Sequence, residues 1–458
     1  MKKLITKIKT EDKYFYKTLF KLALPIMAQN LIVFSLNLLD SLMIGRLGET
    51  EISAVTLATQ PYFILSLIFF GLGSGSSVLI SQYWGKKDTE SIKHIVIFCA
   101  ILSSLVSLIF TIIVLTMPVQ VMRIFTNNNQ IINISVKYLK IIGFTYVITF
   151  LSTIFAINLR SVEILKAPLI INGFGIAINT IFNYLLIYGK AGFPKLGVEG
   201  AALATVLARI VEFILMALYM FKYNPLLKFK LKGLFSINKL LINDFIKYSM
   251  PVLINEMLWG LGVSAQSMMV GRLSPSAVSS FAINSTLQQM AFITTLGIGN
   301  AIAVIVGKEV GCENYLNAKR YAKKAIKTVT FMAFIGSIFI FLIRGPFISL
   351  YNITSDTKRL AFIITGILCI VFIFKSVNYT VIVGILRGSG DAKYAMVIDI
   401  IFLWLFALPT GFIAAFILEW PVWAVYIFFM SDEFIKLILG LIRVFRGKYI
   451  TNVTRDFN

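Results

Sequence analysis

Charge is what this chain has least of. Only 14% of its 458 residues are Asp, Glu, Lys or Arg, against roughly a quarter in soluble domains. Histidine occurs once, as His94, and cysteine three times. A lone histidine beside a basic loop cannot build a metal centre or a Ser–His pair, and no HExxH pattern is present, so an intramembrane enzyme is the remotest alternative. Cys99, Cys312 and Cys369 are widely spaced and odd in number, which excludes a disulfide framework or a CxxC redox pair and predicts buried free thiols. Acids are scarcer than bases, 21 against 43, for a formal net charge of +22.

What is present is apolar: 58% of the residues are hydrophobic. Such a composition, broken at intervals by charged segments, specifies an all-α polytopic membrane protein. The positive excess does not read as a nucleic-acid surface, because Lys and Arg cluster between apolar runs, where anionic lipid headgroups are the expected counter-charge. The opening MKKLITKIKTEDKYFYK is too polar for a signal peptide and reads as a cytoplasmic segment.

Apolar runs set against charged breaks predict twelve transmembrane helices near 22–45, 52–82, 94–117, 141–158, 167–189, 197–221, 248–271, 277–307, 328–343, 360–385, 394–417 and 421–442. The runs at 52–82 and 277–307 are long for an upright helix. They are expected to tilt or kink at GLGSGSS (71–77) and LGIGNA (296–301). The loops taken as cytoplasmic hold about 30 Lys and Arg and the opposite loops about 10, which places both termini in the cytoplasm. The predicted organisation is a cytoplasmic N-terminus (1–21), a six-helix lobe (22–221), a basic linker (222–247), a second six-helix lobe (248–442) and a cytoplasmic tail (443–458).

The two lobes repeat one another. Pro25 in LALPIMAQN falls on Pro251 in YSMPVLINE at an offset of 226, and MIGRLG (43–48) falls on MVGRLS (269–274) at the same offset. Leu159-Arg160 and Lys166 meet Leu386-Arg387 and Lys393 at 227. A repeat every six spans preserves orientation, so the lobes are expected to be related by a pseudo-two-fold axis along the membrane normal, facing each other across a cleft.

Within LNLLDSLMIGRLG (36–48) stands one carboxylate, Asp40, six residues before Arg46 and so about 9 Å inside the end of its helix. Inserting an acid there costs a few kcal/mol, which calls for a compensating role. Two readings stand: a protonatable or sodium-binding group, or an acid paired with a base on a neighbouring helix. Asn179 and Asn183 lie one helical turn apart and can point at one place, either as amide ligands of a hard cation or as interhelical hydrogen bonds. Glu256 falls near mid-membrane in the seventh span; left without a partner it would pick up a proton near neutral pH. Asp399 is a further intramembrane acid, and Lys375 a cation that would suit Asp399 or Glu256. Arg209 with Glu212, and Glu433 with Lys436, are three apart and read as locally neutralised pairs. Arg160 and Arg387 read first as markers of cytoplasmic loops.

Pro25, the Leu39-Asp40-Ser41 segment, the paired GRL turns, the small-residue runs, the two Leu-Arg loops and Asn179-xxx-Asn183 resemble, in order and spacing, the multidrug and toxic compound extrusion family, in its NorM-like branch. The resemblance covers essentially the whole chain. It implies a V-shaped pair of lobes that exports amphipathic, often cationic compounds in exchange for sodium ions or protons. It makes Asp40 the principal coupling acid, with Asn179 and Asn183 beside it as a possible sodium site, and Glu256 the acid of the second lobe. The family's further Asp in the tenth span is here Ser376, with Asn378 two residues on; Asp399, Asn378, Ser376 and Lys375 are the additional polar candidates. Phe, Tyr and Met residues lining the cleft would suit flat cations. No cofactor is expected beyond the coupling ion, and no nucleic acid. The expected setting is a monomer in a bacterial inner membrane, in contact with lipids. A flippase for lipids or lipid-linked saccharides is the alternative, although it would want more cations than acids around a pyrophosphate.

Overall fold

The computed structural model describes residues 2–224, 239–351 and 353–456. Lys228, Lys230 and Lys232 of the expected basic linker lie outside the described residues. Among the described residues every regular element is helical: α1 (Lys2–Gly45), α2 (Glu49–Ala58), α3 (Gln60–Lys86), α4 (Thr89–Thr116), α5 (Pro118–Arg123), α6 (Asn129–Ile142), α7 (Tyr146–Ser161), α8 (Lys166–Tyr188) and α9 (Val198–Leu218) make up the first half. The second half has α10 (Lys239–Gly271), α11 (Pro275–Gly311), α12 (Tyr315–Ser349), α13 (Ser355–Tyr379), α14 (Ala392–Phe402), α15 (Leu408–Phe412), α16 (Val422–Phe429) and α17 (Asp432–Phe445). Among the described residues, ten helical stretches are long and apolar enough to cross a membrane. The expected seventh span is α10, which is long enough but more polar. The expected twelfth is α16 and α17, separated by a turn at Met430 and Ser431.

Local chemistry explains most boundaries. The Asp88 side chain accepts from the Ser91 amide at the start of α4, and Asn128 does the same for Gln130 and Ile131 at the start of α6. Ser274 caps α11, with Pro275 at its first position. Gly189 ends α8 at φ +66°, a conformation that suits glycine.

Several expectations shift. The long second span breaks at Thr59, next to Pro61, while GLGSGSS stays inside an unbroken α3. The segment 118–140 is largely helical and not a simple loop. α6 begins at Asn129, exposes Lys137 and Lys140, and joins α7 through a tight turn at Gly143–Thr145. An amphipathic helix keeps one face polar, which is why average hydropathy misses its start. Cys99 and Cys369 are buried as expected, but Cys312 is exposed, just past the end of α11.

Two compact units emerge. One takes Ala28–Ser76 and Asp88–Phe245. In it α8 packs along α9 and α4 along α7, and Phe69 stacks on Phe150 with ring centroids 4.2 Å apart. The other takes the chain up to Met27, Ser77–Lys87 and Ile246–Asn458. Its core is α11 against α12 and α13, around Leu368, Phe372 and Ile340. At Gly311 a Cβ would stand 1.9 Å from the Gln82 carbonyl, so only glycine permits this approach of α3 to α11. The tail crosses the same place. The Val453 amide donates to Gln82 Oε1 at 2.8 Å, the Thr451 amide to the Ser389 carbonyl at 2.8 Å, and Lys86 pairs with Asp456 at 2.6 Å. Burial of the Tyr449 phenol at the root of the tail pushes its pKa up.

Candidate functional site

Asp40 lies in the last two turns of α1, where the helix brings it against α8. Asn183 Nδ2 donates to Asp40 Oδ1 at 2.6 Å and to Asn179 Oδ1 at 2.9 Å. Asn179 Nδ2 donates in turn to Thr205 Oγ1 of α9 at 3.1 Å. The one-turn spacing of the asparagines thus carries a polar chain from the Asp40 carboxylate to α9. Sequence reasoning finds the two asparagines but misses Thr205. A lone threonine in a span ordinarily bonds its own helix, and its hydroxyl does also donate to the Ala201 carbonyl at 3.0 Å. Tyr188 Oη bonds the Met43 carbonyl at 3.0 Å and fixes the end of α8 beside the same stretch of α1.

The charge balance of this site bears on the two readings of Asp40. The nearby Arg209 is held by Glu212 at 2.6 Å, as their spacing predicts. Among the described residues no basic nitrogen comes within ion-pair distance of Asp40, whose partner is an amide. Asn183 is 2% exposed, and its Oδ1 has no hydrogen-bond partner among the described residues. A carboxylate bonded by one amide, with a second amide and a threonine hydroxyl further along the same polar chain, offers oxygen atoms suited to a hard monovalent cation or a proton.

The acids of the second half have different neighbours. Glu256 is not unpaired: Arg387 Nη1 meets its Oε1 at 2.6 Å, with both residues buried. Arg387 is therefore more than a loop marker. It ends the widened helical turn Thr380–Arg387, whose looser winding directs its side chain into the interior. Asp399 accepts from Lys436 at 2.7 Å and from Asn255 at 3.0 Å. Lys375 is not the partner of either acid. It is half-buried and lies within electrostatic range of Glu433. Lys436 pairs with Asp432 at 2.5 Å, one turn away, and not with Glu433 as the spacing suggests. Glu433 is held by Asn378 at 2.8 Å, and Ser376 accepts from Thr295 at 3.0 Å. The structure therefore gathers Asp40, Asn179 and Asn183 in one place, and Asn378 with Glu433 in another. Glu256 is bonded to Arg387 instead of to Asn378 or Ser376.

The MatE family model matches residues 25–185 and 251–413, one copy in each half of the duplication. The chain belongs to the MatE family. This is the family that Pro25, Asp40 and the paired loops point to, and its members are multidrug and toxic compound extrusion transporters. Both family matches begin at the paired prolines, Pro25 and Pro251. Among curated MatE relatives, a probable multidrug resistance protein NorM of Bacillus cereus is 26% identical over 447 residues, covering 94% of this chain and 96% of its own. The NorM of Thermotoga maritima is 25% identical over 449 residues, covering 96% and 94%. The fold matches a MOP superfamily transporter from Pyrococcus furiosus at a TM-score of 0.86 and 18% identity, covering 94% of this chain and 96% of the other. It matches an outward-facing multidrug resistance MATE transporter at a TM-score of 0.85, with the same identity and coverage. The protein is thus a polytopic membrane transporter with an all-α MATE fold.

Proposed function

We propose that this protein is a cation-coupled antiporter that exports amphipathic, often cationic compounds by alternating access, with Asp40 as its principal coupling group. The observation that carries this reading is the Asp40 carboxylate, bonded to Asn183 and without an ion pair among the described residues, the nearby Arg209 being held by Glu212. A group that changes charge by one on binding a proton or sodium ion can couple that ion to transport only if its affinity differs between two states of the protein. At Asp40 the means are at hand: rotation of α1 against α8 would break or remake the bond to Asn183 and so alter the carboxylate's surroundings. Sodium would be held by Asp40, Asn179 and Asn183, with Thr205 in reach; a proton would need the carboxylate alone. Either ion arriving from outside neutralises Asp40 and weakens its hold on a cationic substrate. Transport of this kind involves no covalent chemistry, and the protein is not an enzyme in this reading. The names of its relatives support drug efflux, and the Lys and Arg asymmetry supports cytoplasmic termini in a bacterial inner membrane.

The test is ethidium transport by proteoliposomes with sodium and proton gradients imposed separately. Movement driven by one gradient identifies the ion. Movement driven by neither, with substrate simply equilibrating, would overturn the coupled mechanism.

A further inference from the structure

Three bases stand close together in the chain where α12 ends and α13 begins: Arg344, Lys358 and Arg359. They belong to the loops on the side of the membrane that the Lys and Arg asymmetry keeps poor in positive charge. Arg344 stands five residues before Ser349, the last of α12, and so about 8 Å inside the helix end. Its guanidinium is held by two rings, with its carbon 4.3 Å from the Phe341 centroid and 3.9 Å from that of Phe362 on α13. Gly366, one turn further along α13, makes room for it, since a Cβ there would stand 2.6 Å from Arg344 Nη1. Phe341 and Phe362 are both exposed. They continue a broad apolar face of α12 that includes the exposed Phe334, Ile338 and Leu342, on a helix that packs mainly against α11 and α13. A face of that kind on a membrane-spanning helix meets lipid.

An arginine within a span ordinarily pairs with an acid. Among the described residues Arg344 has no ion pair, and its guanidinium makes one long hydrogen bond, from Nη1 to the Phe362 carbonyl at 3.4 Å. The ring faces attract its charge but leave the N–H groups around its edge without acceptors. Arg359 lies three residues before Phe362 and seven before Gly366, so all three share one face of α13. The second arginine therefore sits on the face where the first is held, nearer the helix end, with Lys358 beside it in sequence. Asp356 is the one acid of the first turn of α13, and it is ion-paired with none of these bases among the described residues. Three positive charges against one negative, on the border of an apolar face, call for an anion from outside the chain. At this depth the anion at hand is a lipid phosphate, and guanidinium forks match its oxygens.

We infer that Arg344, with Arg359 and Lys358 nearer the helix end, binds the headgroup phosphate of an anionic phospholipid whose acyl chains lie along the apolar face of α12. With the orientation proposed above the site lies in the outer leaflet, but its test depends neither on that orientation nor on transport. Purified full-length protein, stripped of lipid in detergent, is titrated with phosphatidylglycerol or phosphatidylcholine, and the lipid retained per chain is counted by native mass spectrometry. Wild type is expected to hold one phosphatidylglycerol more tightly than any phosphatidylcholine. R344Q should weaken that lipid roughly tenfold, the loss of a charge-assisted bond, and R359Q a few-fold. R123Q, which removes an exposed base of α5, should leave it unchanged. D40N should keep the lipid too, so failure of the coupled mechanism would leave this site standing. An R344Q protein that melts like wild type and keeps phosphatidylglycerol at wild-type affinity overturns the proposal. If R344Q does not fold, wild-type affinity in both R359Q and F362L overturns it instead. Equal retention of phosphatidylcholine also sinks it, because the excess positive charge would then not select the headgroup. So does release of phosphatidylglycerol by millimolar inorganic phosphate, because the acyl chains would then take no part.

Discussion

The two halves of this chain share a scaffold and differ in how they treat an acid inside it. At equivalent positions of the repeat, Arg160 and Arg387 each reach back to the helix that opens their half. Arg160 Nη2 meets the amide oxygen of Gln29 at 3.1 Å; Arg387 Nη1 meets the carboxylate of Glu256 at 2.6 Å. An amide in one half and an acid in the other convert a polar contact into a buried ion pair. Among the described residues Asp40 has no ion-paired arginine, since the nearby Arg209 is held by Glu212. Its partner in the repeat is Gln266, which donates to the Phe429 carbonyl at 3.2 Å and carries no charge. The lesson is that duplication preserves the reach of the backbone, while whether a basic side chain is free to bond an acid decides whether that acid ends in an ion pair, as Glu256 does, or on an amide, as Asp40 does.

The sharpest way to break this comparison is at Asp40. D40N should abolish gradient-driven efflux while leaving expression and thermal stability close to wild type, because Asn keeps the shape and the Asn183 contact loses only its charge assistance. Normal drug resistance in cells carrying D40N would end its assignment as the coupling acid. Next comes Arg387. R387M should destabilise the protein by about 3–5 kcal/mol, since it strands a buried carboxylate. Adding E256Q to R387M should recover most of that loss. Thermal unfolding in detergent reads both, and a failure of the double variant to recover would mean that packing, and not charge, dominates there. At the matching place in the first half, R160M should cost less on the same melting curve, since the group it leaves at Gln29 is a neutral amide and not a carboxylate. The smallest effect is expected at Thr205. T205A removes one hydroxyl from the Asn179 chain and should weaken ion binding a few-fold, as read by the shift in the sodium or proton concentration that half-saturates transport. No shift would place Thr205 outside the ion site.

Much of this arrangement is legible in the order of the amino acids. The spans, the repeat and the depth of Asp40 are properties of hydropathy and spacing, and Asn179 with Asn183 follows from one helical turn. What spacing does not yield is partners. Glu433 and Lys436 have the spacing of a pair, yet Asp399 and Asp432 hold the lysine. Arg387 reads as a loop cation because the widened turn before it, which carries it inward, has no strong sequence signature.

The sequence by itself determined that this is a duplicated, all-helical membrane transporter with an acid deep in its first half. Lipid leaves backbone groups to satisfy one another, and long apolar runs have few other ways to do so. Only the tertiary structure decided which acids are compensated. Glu256 and Arg387 are 131 residues apart, Asp40 and Asn183 are 143 apart, and which pair becomes an ion pair depends on how each helix is turned about its axis. Those rotations are set by packing over whole helices, and no local spacing encodes them.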